Sequence, residues 1–184
     1  MADKIFETER LYTRLLTEND LDSIREQLQD PEVMFAYEGA FSDLMVKSWL
    51  HKQLERYEQY GFGLYALLTK DDDIFVGQCG VTLQDYEGLM VHEVGYLLSK
   101  RFWHLGYATE AAAGARDYAF DGLNAPLVCT QIRDINVPSQ KVAERIGFKL
   151  DGEFVKHYRG FALPHKVYVM TREQYQELKQ KGEL

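Results

Sequence analysis

Cysteine, proline and long apolar runs are all scarce in this 184-residue chain. Cys79 and Cys129 stand far apart and in no C-x-x-C pattern, so they offer neither a disulfide framework nor a zinc ribbon. Both fall in apolar alternating stretches, and buried, reduced thiols in a reducing cytoplasm are the expectation. The five histidines share no ligand spacing with them, so no bound metal is expected. No window is apolar enough, for long enough, to span a bilayer, and the opening Met1-Ala2-Asp3-Lys4-Ile5 lacks the apolar core of a signal peptide. A role at membranes is not expected. Positive charge is short as well, with 21 Lys and Arg against 29 Asp and Glu and a net charge of −8. Such a balance argues against nucleic-acid binding, which needs basic faces to neutralise phosphates. It is compatible with a cationic partner, and equally with solubility alone. Repeats, low-complexity tracts and Pro/Gly/Ser linkers are missing too, so residues 1–184 read as one domain.

What is present is a succession of periodicities. Leu11, Thr13 and Leu15 alternate with Tyr12 and Arg14, which predicts a first strand within 5–16. Thr17 then suits a helix N-cap with Asp20 three residues on, and Leu21, Ile24 and Leu28 give a helical stripe that Pro31 ends. A second helix is predicted within 42–59. From Gly63 the period turns to two, and 64–69, 74–84 and 91–98 read as strands joined by short polar turns, an antiparallel meander. Helix over 109–120, strand over 128–133, helix over 138–146, and strands over 153–158 and 166–171 complete the reading. The fold class is therefore α/β (α+β), a mixed, mainly antiparallel sheet of about seven strands with helices on both faces.

The most informative stretch runs from Leu97-Leu98-Ser99 through His104-Leu105-Gly106-Tyr107-Ala108-Thr109. A strand ends, a short loop follows, and a helix begins near Ala108. Free N–H groups and the positive dipole end at a helix start attract anions. Gly106 allows close backbone approach there. Ala108, Ala111, Ala112, Ala115 and Ala119 give the helix a smooth face that can lie close on the sheet. Taken alone, this is also what an ordinary strand-to-helix turn looks like. The glycine fingerprints G-x-G-x-x-G and G-x-x-x-x-G-K are absent, which disfavours nucleotide chemistry on a doubly wound parallel sheet.

Gly106-Tyr107-Ala108-Thr109-Glu110-Ala111 resembles the acetyl-CoA motif of the GNAT superfamily, Gln/Arg-x-x-Gly-x-Gly/Ala, with Trp103 in the Gln/Arg place. That aromatic variant is similar to the branch containing ribosomal-protein N-terminal acetyltransferases. Three more segments agree: Glu9-Arg10-Leu11 leading to Arg14-Leu15-Leu16-Thr17, then Asp30-Pro31-Glu32-Val33-Met34, and Asn136-Val137-Pro138-Ser139 with Glu144-Arg145-Ile146-Gly147-Phe148. The resemblance spans about residues 5–175. It implies an acetyl-CoA-dependent N-acetyltransferase acting on a primary amine, with no metal. It also implies a splayed strand pair at the cofactor site, and a homodimer is frequent in that branch. The competing reading is a non-catalytic acetyl-CoA-binding sensor or scaffold.

The same resemblance implies roles residue by residue. Leu97, Leu98 and Ser99 would meet the pantetheine arm, and a backbone N–H near Leu98 would face the oxyanion. His104, Leu105, Gly106, Tyr107, Ala108 and Thr109 would hold the pyrophosphate, with Arg101 either nearby or solvated. Glu93 is an acid within an apolar strand, where burial raises a carboxyl pKa toward that of a useful base. An exposed strand-end residue is the alternative. Asn136 and Ser139 stand at a helix entrance before and after Pro138, where capping alone would account for them. The resemblance implies a pantetheine contact for Asn136 and, as in some members of that branch, the role of general acid for Ser139. Tyr158 and Tyr168 are the other available acids. Phe35, Tyr37, Glu38 and Trp49 are candidates for the wall of the acceptor site.

Overall fold

The computed structural model describes residues 3–158 and 160–184; Met1 and Ala2 of the amino-terminal segment lie outside them. The chain opens with a hairpin, β1 (Lys4–Glu7) and β2 (Leu11–Arg14), rather than the single predicted strand. Thr8 closes its turn, donating through its backbone N–H to the Leu11 carbonyl at 2.8 Å. Leu15 falls beyond the strand end and is exposed. Helices α1 (Leu21–Leu28) and α2 (Asp43–Tyr60) follow, the latter capped by Ser42, whose side chain accepts from the Met45 N–H. The meander β3 (Leu64–Thr69), β4 (Phe75–Tyr86) and β5 (Leu89–Leu98) is as predicted. Then come α3 (Tyr107–Asp117), β6 (Leu127–Arg133), α4 (Val137–Arg145), β7 (Lys149–Tyr158), β8 (Phe161–Thr171) and α5 (Arg172–Lys181).

The strands form one sheet in the order β1-β2-β3-β4-β5-β6-β8-β7. Eight strands replace the predicted seven or so, because the first strand folds back on itself. Every neighbouring pair is antiparallel except β5 and β6. Helix α5 was not predicted: its polar sequence carries one buried anchor, Tyr175, and it is started by a Thr171–Gln174 capping box.

Alternation sends neighbouring residues to opposite faces. On one face Leu67, Val94 and Leu98 pack with Ala111, Ala112 and Ala115 of α3 and Val142 of α4. On the other, Ala66, Leu68 and Leu97 pack with Ile24 and Leu28 of α1 and Val46 and Leu50 of α2. The predicted alanine face is real: Ala111, Ala112, Ala115 and Ala119 are all completely buried. Helix α3 therefore lies tight on the sheet, with its first turn at the carboxyl end of β5.

Candidate active site

Parallel pairing between β5 and β6 is confined to His92–Val128 and Glu93–Cys129. Beyond Glu93 the two strands diverge and leave a gap. The Ser99 N–H donates to the Val76 carbonyl on the β4 side at 2.9 Å. By alternation the Leu98 N–H faces the opposite edge, toward the gap. The indole N–H of Trp103 donates to the Leu98 carbonyl at 3.0 Å. The aromatic that departs from the family's Gln/Arg thus pins the strand end beside the gap.

Helix α3 begins at Gly106, whose φ of 82° lies in the left-handed region. No side chain caps this end, and the first intrahelical bond is donated by the Glu110 N–H to the Gly106 carbonyl. The N–H groups of Tyr107, Ala108 and Thr109 therefore have no helical acceptor, which is the arrangement an anion needs. The loop is braced from β2's turn. The Glu110 carboxylate accepts from the Thr8 hydroxyl (2.6 Å), the Arg10 N–H (2.7 Å) and Arg10 Nε (2.6 Å), while Arg10 Nη1 donates to the Leu105 carbonyl at 3.1 Å. The Arg10 guanidinium also lies 4.6 Å from the Tyr107 ring centre. Burial pushes the Glu110 carboxyl up, yet these donors outweigh it and hold it below the ordinary value.

A cavity of about 930 Å³ joins this helix start, the gap and the far face of the sheet. Among the predicted cofactor residues, Leu97, Leu98, His104, Gly106, Tyr107, Ala108, Thr109 and Asn136 line it, as do Glu93 and Ser139. Ser99 and Leu105 do not. Ser99 is buried with its N–H and carbonyl both committed to backbone partners, and Leu105 turns its side chain outward. Arg101 is exposed and stacks over Phe102 at 4.8 Å.

Glu93 shares strand parity with Leu97, so it stands on the α1/α2 face. Its carboxylate accepts from the Gln131 N–H and the Thr82 hydroxyl, each at 3.2 Å. Burial raises its pKa, opposed by the charge of Lys156, these two hydrogen bonds and the charge of Arg56. Asn136 caps α4, its Oδ1 accepting from the Ser139 N–H at 3.3 Å. The capping reading therefore holds, and both residues also face the cavity. The Tyr96 hydroxyl, which the sequence did not single out, donates to the Ser139 carbonyl at 3.3 Å. Burial pushes that phenol well up, so it stays protonated.

The two other tyrosines separate cleanly. Tyr158 lines the cavity, whereas Tyr168 is 3 % exposed and packs in the α3-side core. Phe35, Tyr37 and Trp49 line the cavity on the Glu93 face, and Tyr37 stands edge-on to Trp49 at 6.0 Å. Glu38 does not line it but binds Arg133, which does, at 2.6 Å. Behind this wall runs a buried amide relay: Trp49 Nε1 donates to Gln78, Gln78 to Gln27, and Gln27 to the Leu97 carbonyl, at 2.8, 2.7 and 2.6 Å. Among the described residues no group of histidine, cysteine and acidic side chains has the arrangement of a metal site, and no helix is long and apolar enough to cross a membrane.

Known proteins resemble this chain in sequence and in fold. The YkkB protein of Bacillus subtilis, described as uncharacterized, is 32 % identical over 162 residues, 88 % of this chain and 92 % of its own. The crystal structure of an acetyltransferase from Agrobacterium tumefaciens superposes with a TM-score of 0.76 at 27 % identity, covering 92 % of this chain and 95 % of that one. Mycobacterium smegmatis RimJ in complex with CoA-disulfide has the same fold, with a TM-score of 0.75 at 20 % identity, over 98 % of this chain and 95 % of its own. The sequence profile of the acetyltransferase (GNAT) domain matches residues 10–149, and the chain belongs to the GNAT acetyltransferase family.

Proposed function

We propose that this chain transfers the acetyl group of acetyl-CoA to a primary amine by direct attack within a ternary complex. One observation carries the reading: a single cavity joins an uncapped helix start, a gap in the sheet and an acid on the opposite face. The site fits the co-substrate. Unpaired N–H groups of Tyr107, Ala108 and Thr109 suit the pyrophosphate, the open edge at Leu98 suits the pantetheine amides, and Leu97 and Asn136 line the same cavity. Lys141 and Arg145, on α4 beside α3, add positive charge for the phosphates. The RimJ neighbour was solved with a CoA derivative on this fold.

Bound acetyl-CoA supplies an activated acyl carbon. Glu93 takes the proton of the incoming ammonium, directly or through one water, its basicity set by burial. The Leu98 N–H donates to the acyl oxygen as charge gathers there. The Ser139 hydroxyl gives a proton to the departing sulfur and regains one from the attacking nitrogen, directly or through water, as the amide forms, and Tyr96 fixes Ser139 through its carbonyl. Holding both reactants in line across the gap supplies much of the rate. The same reading takes 1–184 as one domain in the cytoplasm, where the buried free thiols of Cys79 and Cys129 stay reduced.

Free thiol released on mixing the protein with acetyl-CoA and a panel of primary amines, with mass-spectrometric detection of the acetylated product, tests this. Turnover on at least one amine is expected. Acetyl-CoA binding without turnover across a broad panel would replace the enzyme with a sensor.

A further inference from the structure

The cavity reverses the charge of the molecule. The chain has 29 acidic residues against 21 basic ones, yet the cavity lining carries the cations Arg56, Arg133, Lys141, Arg145 and Lys156 against one carboxylate, Glu93. Lys141 and Arg145 stand on α4, at the helix-start end. The other three surround Glu93.

Strand parity places them. Gln131 gives its N–H to Glu93, and Arg133 is two residues further along β6 on the same face. Phe154 stacks on His165 across β7 and β8, and Lys156 and Tyr158 continue the Phe154 side of β7. Arg56 reaches the same space from α2, and the charges of both Arg56 and Lys156 are felt at the Glu93 carboxylate. Two of the three cations lack an acidic partner. Arg133 is paired with Glu38 at 2.6 Å, whereas Arg56 donates only to the Gln53 amide at 3.1 Å and Lys156 makes no ion pair among the described residues. The Nε of Arg133, a residue whose side chain is only 10 % exposed, lies 3.9 Å from the Asp134 carboxylate and finds no hydrogen-bond acceptor among them. A donor buried in that way is stabilised by a ligand that accepts from it.

Resting on the acetyl-transfer reading above, we infer that the acceptor is a small primary amine that also bears an anionic group, a carboxylate or a phosphate. Arg56 and Lys156 hold the anion, and the amine is turned to Glu93. Tyr37, Trp49 and Tyr158 flank the carbon skeleton between them. A polyamine or other polycation would bring like charges against Arg56 and Lys156 with Glu93 as its lone counter-charge, so such acceptors are selected against. The acidity of the whole chain, which alone is compatible with a cationic partner, is thus a property of the outer surface and not of the site.

The test compares thiol release with β-alanine, glutamate and O-phosphoethanolamine against ethanolamine, putrescine, spermidine and a carboxyl-amidated peptide with a serine amino terminus and no acidic residue. The anionic amines are expected to show the highest kcat/KM, and the carboxylate and phosphate members tell the two anions apart. Arg56→Gln and Lys156→Gln should each raise KM for the best anionic amine about 10- to 100-fold, the range of a lost charge-assisted contact. KM for acetyl-CoA should hold, because neither residue is on the helix-start side. Lys156→Glu, at an exposed strand position that tolerates the change, should shift preference toward putrescine. If the polyamines, ethanolamine or the neutral peptide are the best acceptors, or if neither Gln variant moves KM for the anionic amine, the inference is wrong while the acetyl-transfer reading stands. No thiol release with any amine overturns both.

Discussion

Replacing Glu93 with Gln removes one charge while keeping the shape of the side chain and its place against Thr82 and Gln131. The amide oxygen still accepts from the Gln131 N–H, and the Thr82 hydroxyl can turn to accept from the new amide N–H. What is lost is a proton acceptor. General-base catalysis is worth about 10²- to 10⁴-fold, so kcat/KM should fall within that range and lose its rise with pH. Stability should move the other way. The folded state holds the Glu93 proton more tightly than the unfolded chain, chiefly through burial. The protonated form is therefore favoured on folding, and its contribution is fully present below the ordinary carboxylate pKa. It is lost as pH rises through the folded value. The Gln variant has no such loss. Its melting temperature should match wild type near pH 4 and exceed it at pH 8, where each unit of raised pKa is worth about 1.4 kcal/mol and each kcal/mol moves Tm by about 2–4 °C. Stopped-flow thiol release across pH 5.5–9.5 and a melting series at matched pH values check both halves. A variant with an unchanged pH profile and a pH-independent difference in Tm would refute both the base role and the burial argument.

Ser139→Ala should lower kcat about a hundredfold, the low end of proton-transfer effects, with KM for acetyl-CoA unchanged; full turnover would remove the acid role. Gly106→Ala forces a side chain into left-handed backbone at a cost of about 1–2 kcal/mol and sets a Cβ 3.3 Å from Arg10 Nη2. Acetyl-CoA affinity measured by calorimetry should drop with it, while a Ser at the neighbouring exposed Leu105 should leave it alone. Gln27→Leu removes the side-chain donor to the Leu97 carbonyl and leaves the buried Gln78 Nε2 without its acceptor, and a loss of about 1–3 kcal/mol in urea unfolding is expected.

The features readable from sequence were those whose physics is local. The turn from Leu98 to Thr109 announced itself because a strand end, a glycine and an alanine stripe stand within a few residues. Glu93 announced itself because an acid interrupts an apolar strand. The brace on that turn was not legible, since Arg10 and Glu110 are a hundred positions apart and each alone reads as a solvated charge. The relay from Trp49 to Leu97 was hidden for the same reason: a buried Gln looks like any surface Gln until the fold pairs it. Strand β8 begins at Phe161 rather than near 166, and it runs through Pro164, which lies one step beyond the last β6 pair, Arg133–His165.

The division of labour at the site follows from parity along β5. Val94, Tyr96 and Leu98 turn toward α3 and α4, where Ser139 and the helix start wait, while Glu93 and Leu97 turn toward α1 and α2, where the cationic and aromatic wall stands. A one-residue slip would exchange the two sets and put the acid on the phosphate side. The register is held by unbroken pairing of β4 with β5 from Gly77–Leu98 to Tyr86–Leu89. At its critical end, Gly77 admits the Leu97 carbonyl so closely that a Cβ there would sit 2.2 Å from that oxygen. That missing side chain also leaves room for the Gln27 amide, which binds the same carbonyl. Gly77 and Gln27 together fix the last residues of β5, and those residues set Glu93 and Ser139, the proposed base and acid, on opposite faces of one sheet. The gap left by β6 joins the two halves next to Glu93, so the proposed reaction would take place where the parallel pairing ends.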